Sequence, residues 1–129
     1  GPDKTGELVP EVYQRLEEIG KWMNVNSIAI YNTKPLEPYQ NGNYCYTQSN
    51  NGKKKYLFYL IPEGEKLAKE LIIPNHFIGN IKQIKLLGYS KQLSVKTKGN
   101  VSKVVIPEEI LQNKENTPVL VFSLEQTTR

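Results

Sequence analysis

Side chains able to act as acids, bases or nucleophiles are few in this sequence. It contains one histidine, His76, one cysteine, Cys45, and one aspartate, Asp3, which lies in a turn-rich opening segment. Acid–base catalysis by carboxyl groups needs two of them aimed at one point. The glutamates fall on a predicted helix or in predicted turns, without a spacing that would bring two together. A catalytic carboxyl pair is therefore not expected within the chain.

Neither His76 nor Cys45 has a partner for such chemistry. A catalytic triad or a metal site at His76 needs further residues, and the sequence places none near it. A lone thiol within a strand usually packs as a small apolar side chain, and one cysteine excludes an intrachain disulfide and a multi-cysteine metal site. We therefore predict no catalytic, cofactor-binding or metal-binding residue in the chain.

Two tyrosines offer a different chemistry. Tyr44 and Tyr46 lie on one face of a predicted strand, and flat aromatic rings exposed on such a face can stack on sugar rings. Cross-strand packing is the other interpretation, and tyrosine favours that use in sheets generally. We favour packing and keep Tyr44 and Tyr46 as candidate sugar contacts.

The first part of the sequence has the pattern of one amphipathic helix. Apolar residues recur at the three-and-four spacing of a helical face, at Val9, Val12, Leu16, Ile19 and Met23. Pro10 suits the first turn, and residues 24–27 favour a helix end, so we predict a helix from Pro10 to Asn24. Such a helix is marginal alone, and we expect its apolar face to pack on protein outside this sequence.

From residue 43 onward the pattern changes to short apolar segments separated by turn residues. No helix of crossover length lies between them, so antiparallel pairing is expected. The segment 57–61 is apolar on both faces, as in a central strand. The fold class predicted is mainly β, an antiparallel β-sandwich of about seven strands preceded by one helix. The predicted strands are Tyr44 to Gln48, Lys55 to Ile61, Leu71 to Ile73, Gln83 to Leu87, Leu93 to Thr97, Val101 to Ile106 and Val119 to Glu125.

The composition of the 129 residues is that of a soluble globular protein, 38% hydrophobic and 23% charged. The net charge of +4 comes almost entirely from scattered lysines, apart from the run 53–55, which we interpret as a solvated hairpin tip. Base readout and phosphate clamps favour arginine, so no nucleic-acid partner is expected. The longest strongly apolar run, 56–61, is too short for a bilayer, so no membrane association is expected.

Five segments near the start carry a family resemblance. They are Gly1-Pro2-Asp3, Ile19-Gly20-Lys21-Trp22-Met23, Val25-Asn26, Ala29-Ile30-Tyr31 and Thr33-Lys34-Pro35, and the single residue Leu16 between the first two belongs to the same pattern. In this order they resemble the end of the catalytic barrel in α-L-fucosidases of glycoside hydrolase family 29. Ser27-Ile28 depart from the family's common Gly-Glu. Asn32 replaces a glycine, whose positive φ asparagine can also adopt.

Later segments resemble the C-terminal β-sandwich of the same family. They are Lys55-Tyr56-Leu57-Phe58-Tyr59, Leu86-Leu87-Gly88, Leu93-Ser94-Val95 and Val105-Ile106-Pro107. The resemblance implies that residues 1–35 end the (β/α)8-like barrel and residues 36–129 form the sandwich. It also implies a parent enzyme that removes terminal α-L-fucose from glycans with retention, uses no metal or cofactor, and is periplasmic, secreted or lysosomal.

Within that parent, the resemblance implies a supporting role for this chain. The family's nucleophile comes from a barrel strand upstream, so we expect the chain itself to be inactive and to buttress the barrel by an intramolecular contact. The predicted interface residues are Leu16, Ile19, Trp22, Met23 and Tyr31. We interpret Trp22 as a wedge that packs between the barrel and the sandwich. The other interpretation is that its ring only covers the helix. Two alternatives remain for the whole chain: an independent carbohydrate-binding module using Tyr44 and Tyr46, and a plain protein-interaction domain.

Overall fold

The computed structural model describes residues 10–62, 64–74, 81–112 and 118–126. Helix α1 runs from Pro10–Asn26, slightly past its predicted end, and continues into a 3-10 turn at Ser27–Ala29. Asn32 then adopts a φ of 59°, in the left-handed region that asparagine tolerates better than most residues. The expectation that Asn32 can supply a glycine-like conformation is confirmed.

The part of the chain that the structure describes contains eight strands and one further short helix. All seven predicted strands form, so the mainly β fold class is confirmed. The strands are β1 (Thr33–Asn41), β2 (Tyr44–Ser49), β3 (Lys55–Leu60), β4 (Glu70–Pro74), β5 (Ile81–Leu86), β6 (Val95–Lys98), β7 (Val101–Val105) and β8 (Val119–Gln126). Helix α2 (Glu108–Leu111) precedes β8.

The strands form two antiparallel sheets. Sheet A has five strands in the order β1-β2-β3-β8-β5, and sheet B has three in the order β4-β7-β6. Strand β3 lies inside sheet A between β2 and β8, as its apolar composition on both faces predicts. No helix of crossover length lies in the described residues between successive strands, in line with the antiparallel pairing of the described strands.

The main core lies between the two sheets. Alternation along β3 and β8 directs Leu57, Phe122 and their same-face neighbours inward, where they meet Ile73 and Val104 of sheet B. These four side chains are completely buried. Each contributes about 1.5 to 3 kcal/mol relative to an exposed position. The core therefore fixes which face of each sheet points outward.

Two elements were not predicted. Strand β1 contains Pro35 and Pro38, which lack a backbone donor. It forms because it is an edge strand, where proline is tolerated. It also crosses residue 35, where we place the domain boundary, and that boundary stays a prediction. Helix α2 is a short turn whose Ile110 and Leu111 pack against the main core.

Candidate interface surface

The end of α1 packs on the outer face of sheet A, away from the main core. There Ala29, Tyr56 and Val121 are buried as a second, smaller cluster. The partly buried side chains around this cluster are Trp22, Phe58, Leu87 and Val119. The helix end and the sheet thus share a small core of their own.

Trp22 attaches the helix to the edge of this cluster. Its Nε1–H donates a hydrogen bond to the Val119 carbonyl oxygen at 3.2 Å, which joins positions far apart in sequence. Asn26 is buried, and its Nδ2 donates to the Trp22 carbonyl at 3.0 Å. The indole therefore lies on the sandwich, which is one side of the predicted wedge. Its contact with a barrel stays a prediction.

The turn after α1 is held by hydroxyl groups from two strands. The Ala29 carbonyl accepts hydrogen bonds from Thr47 Oγ1 at 3.0 Å and from Thr33 Oγ1 at 3.2 Å. Thr33 Oγ1 also donates to the Ile30 carbonyl at 2.7 Å. Because Ala29 is fully buried, these donors satisfy a carbonyl that water does not reach.

A glycine lets the helix approach the loop after β5. Gly88 has a φ of 88°, and a Cβ added there would lie 2.8 Å from Val25 Cγ1. Valine is stiff about χ1, so its methyl group cannot move away cheaply. Both the backbone angle and the close approach therefore require glycine at this position.

Beyond these anchors, several large apolar side chains of the helix end and the following turn are exposed. Ile19, Ile28 and Tyr31 are 58%, 59% and 64% exposed. We call the exposed set the interface surface: Ile19, Val25, Ile28, Ile30 and Tyr31. All five lie within residues 19–31, and groups of exposed apolar side chains are typical of interaction sites.

The interface surface overlaps only partly with the predicted interface residues. Ile19 and Tyr31 belong to it, whereas Trp22 faces the sandwich and Met23 is half-buried. The side chain of Leu16 lies outside the described residues. The sequence reasoning missed Val25, Ile28 and Ile30. The sequence did contain an indication of them, because these large apolar residues lie among polar residues that favour a turn.

The two candidate sugar contacts point into the sandwich. Tyr46 is 1% exposed and belongs to the main core, and Tyr44 packs beside it with its ring centroid 5.2 Å from that of Tyr59. Burial raises the pKa of both phenols, that of Tyr44 to about 12. Packing is therefore the use that the structure gives these rings, and an exposed aromatic platform does not form at Tyr46.

The remaining residues considered for catalysis or metal binding are Cys45, Asp3 and His76. Cys45 is half-buried on β2, and burial raises the pKa of its thiol, which disfavours the reactive thiolate. Asp3 and His76 lie outside the described residues. Across 10–62, 64–74, 81–112 and 118–126, no group of three or more His, Cys, Asp or Glu is arranged to hold a metal ion. In the same ranges, no helix combines the length and apolar content needed to cross a bilayer.

Comparison with known proteins gives a consistent result in sequence and fold. No family model matches the chain. It is 29% identical over 126 residues, 97% of its length, to the tissue alpha-L-fucosidase of Mus musculus, of which it covers 26%. Its fold matches an alpha-L-fucosidase of Paenibacillus thiaminolyticus with a TM-score of 0.70 at 22% identity, covering 99% of this chain and 30% of that one.

A second solved structure shows the same likeness. It is a trapped covalent intermediate of a family 29 alpha-L-fucosidase from Bacteroides thetaiotaomicron, with a TM-score of 0.66 at 24% identity. The match covers 97% of this chain and 27% of that one. The resemblance to α-L-fucosidases is confirmed. The fucosidase-like chain spans about a quarter of its mouse relative, which is consistent with a C-terminal fragment of such an enzyme.

Proposed function

We propose that this chain is the closing helix and β-sandwich of an α-L-fucosidase, and that it buttresses the catalytic barrel without contributing catalytic groups. The interface surface carries the proposal. The α1 end is anchored to sheet A through Trp22, while Ile28 and Tyr31 in the turn that follows stay exposed. A helix end held on the sandwich and followed by an exposed apolar turn fits a position between two domains.

The proposed parent enzyme removes terminal α-L-fucose from glycans with retention. Retention proceeds through a covalent glycosyl-enzyme and requires two carboxyl groups about 5 to 5.5 Å apart. The covalent intermediate trapped in the Bacteroides relative supports this mechanism for the parent. Both carboxyl groups would come from the barrel, so the chain alone is expected to be inactive. The parent's partners would be fucosylated glycans, in a periplasmic, secreted or lysosomal setting.

The proposal is tested by making the interface surface polar in the full-length enzyme. Ile28→Ser combined with Tyr31→Ser removes two side chains that are 59% and 64% exposed in the chain. If they are buried against the barrel, the thermal midpoint of the enzyme falls, because each loses about 1.5 kcal/mol or more of apolar burial. Thermal unfolding and fucosidase activity are measured together.

A matched control comes from the opposite side of the sandwich. Ile72→Ser combined with Val105→Ser changes two residues of sheet B that are each 48% exposed. This pair should lower the midpoint by less, since it loses only contacts within sheet B and some strand preference, with no burial against a barrel. Equal midpoints for the two double variants would show that no barrel covers the interface surface.

A further inference from the structure

A second exposed surface lies on the outer face of sheet B. The strand register places its outward side chains on neighbouring positions of β4, β7 and β6. We call six of these side chains the cationic face, namely Ile72, Lys96, Lys98, Val101, Lys103 and Val105, and Glu70 of β4 lies on the same side of the sheet. All six are exposed, with Ile72, Val101 and Val105 at 48%, 39% and 48%.

The charges on this face are arranged unfavourably for the folded chain alone. Lys96 and Lys103 are direct cross-strand partners, and Lys98 follows on the same side of β6. Facing strands lie about 4.8 Å apart, and like charges in that position repel. Glu70 is the one carboxylate in these three strands, 3.5 Å from Lys103 Nζ, so it offsets a single cation.

We propose that the cationic face binds a sulfated polysaccharide. A sulfate group keeps its charge at every physiological pH and presents several oxygens, so one group can accept hydrogen bonds from both Lys96 and Lys103. Lysine ammoniums act as compact point charges that suit such an anion. The β-branched side chains beside them, Ile72, Val101 and Val105, provide an apolar surface for the C–H faces of the sugar rings.

Other occupants fit the face less well. Single-stranded nucleic acid binds by stacking bases on aromatic or arginine side chains, and the three strands carry neither. A second copy packed face to face would bring the lysines against each other. The barrel is assigned to the α1 side by the proposed function, whereas this face lies across the main core from it. The exclusion of the barrel therefore rests on the proposed function, whereas the exclusion of nucleic acid and of a second copy rests on sheet B alone.

The test measures binding of dextran sulfate to the full-length protein at low salt, with unsulfated dextran, polygalacturonate and single-stranded DNA as comparison probes. We expect dextran sulfate to bind most tightly and its affinity to fall as salt is raised, because counterions are released on binding. Lys96→Gln, Lys98→Gln and Lys103→Gln together should weaken it at least about tenfold. Tighter binding of polygalacturonate or DNA than of dextran sulfate would overturn the proposal.

A variant that loses the same number of charges elsewhere distinguishes binding at a specific site from binding driven by overall charge. Lys53→Gln, Lys54→Gln and Lys66→Gln remove three exposed cations elsewhere and should weaken dextran sulfate binding by less than about threefold. Equal loss in both triple variants, or no binding by the unmodified protein, overturns the inference. In either case the lysines of β6 would serve only to block edge pairing of sheet B. Fucosidase activity on a small substrate should not change in either variant, which separates this result from failure of the proposed function.

Discussion

The two outer faces of the sandwich expose apolar side chains in different ways. On sheet A, the α1 end lies across the face, so the exposed residues sit on the helix and its turn above a buried cluster of Ala29, Tyr56 and Val121. On sheet B, the exposed residues lie directly on the strands and alternate with lysines. Residues 25–31, which carry most of the interface surface, include no charged side chain and so suit permanent burial, whereas apolar positions among cations suit a charged partner in water.

The turns beside the two faces also differ in the reason why each contains a glycine. Gly88, beside α1, combines a positive φ with a close approach to Val25, whereas Gly99, in the turn between β6 and β7, has a φ of 62° and open space where a Cβ would lie. Gly88 is needed both for its positive φ and for the space it leaves to Val25, whereas Gly99 is needed only for its positive φ. Substitutions at these two positions should therefore have different costs.

Gly88→Ala should have the largest effect. The strained backbone and the overpacking against Val25 each cost about 1 to 3 kcal/mol, so the free energy of unfolding should fall by about 3 kcal/mol. Gly99→Ala should cost about 1 kcal/mol, since only the backbone is strained. Urea unfolding measures both. Adding Val25→Ala to Gly88→Ala should recover part of the loss, and the packing account is wrong if it recovers nothing.

Alkaline pH should weaken the contact between the two sheets. The pKa of Tyr44 is raised to about 12, mainly by burial and next by Tyr59, while a hydrogen bond with the Ile72 backbone on sheet B acts in the opposite direction. The unfolded chain ionises near pH 10, so stability is fully present below pH 10 and is lost as pH rises towards 12.

The Tyr44 contribution should amount to about 1 to 2 kcal/mol across that range. Tyr44→Phe should flatten the alkaline loss in urea unfolding measured at a series of pH values. Tyr31→Phe serves as the control, because Tyr31 is exposed on the interface surface. An unchanged alkaline slope in Tyr44→Phe would contradict the assignment.

Trp22→Phe should have a smaller effect, on the sheet A side alone. It keeps an aromatic ring over the outer face of sheet A but removes the hydrogen bond to the Val119 carbonyl. The loss should be about 1 kcal/mol in urea unfolding. Hydrogen exchange should quicken at the α1 end while sheet B amides are unaffected. Uniform quickening in both sheets would mean that Trp22 supports the whole sandwich.

Lys96→Gln should have the smallest effect and the opposite sign. It removes the like-charge pair with Lys103 on sheet B, so stability should rise by a few tenths of a kcal/mol at low salt. Lys54→Gln, at an exposed hairpin position, should leave stability unchanged. A stability loss in Lys96→Gln would mean that no repulsion exists between the two lysines.

Much of the fold follows from local sequence patterns. Period-two segments predicted seven strands, three-and-four spacing predicted α1, and the two-faced apolar segment of β3 predicted its central place. Strand β1 was missed because Pro35 and Pro38 weaken any strand pattern, and only an edge position makes them acceptable. Whether a strand lies at an edge depends on pairing between distant segments, which local patterns do not contain.

For the interface surface too, the sequence predicted one part and the tertiary structure decided the rest. By itself the sequence determined that an apolar helix face precedes a β-sandwich, that Asn32 can take a positive φ, and that Ile19 and Tyr31 are interface candidates. Only the tertiary structure decided that Trp22 turns towards Val119, that Tyr46 is interior, and that Val25, Ile28 and Ile30 are exposed. Periodicity tells which residues share a face, but the packing of separate elements decides what that face meets.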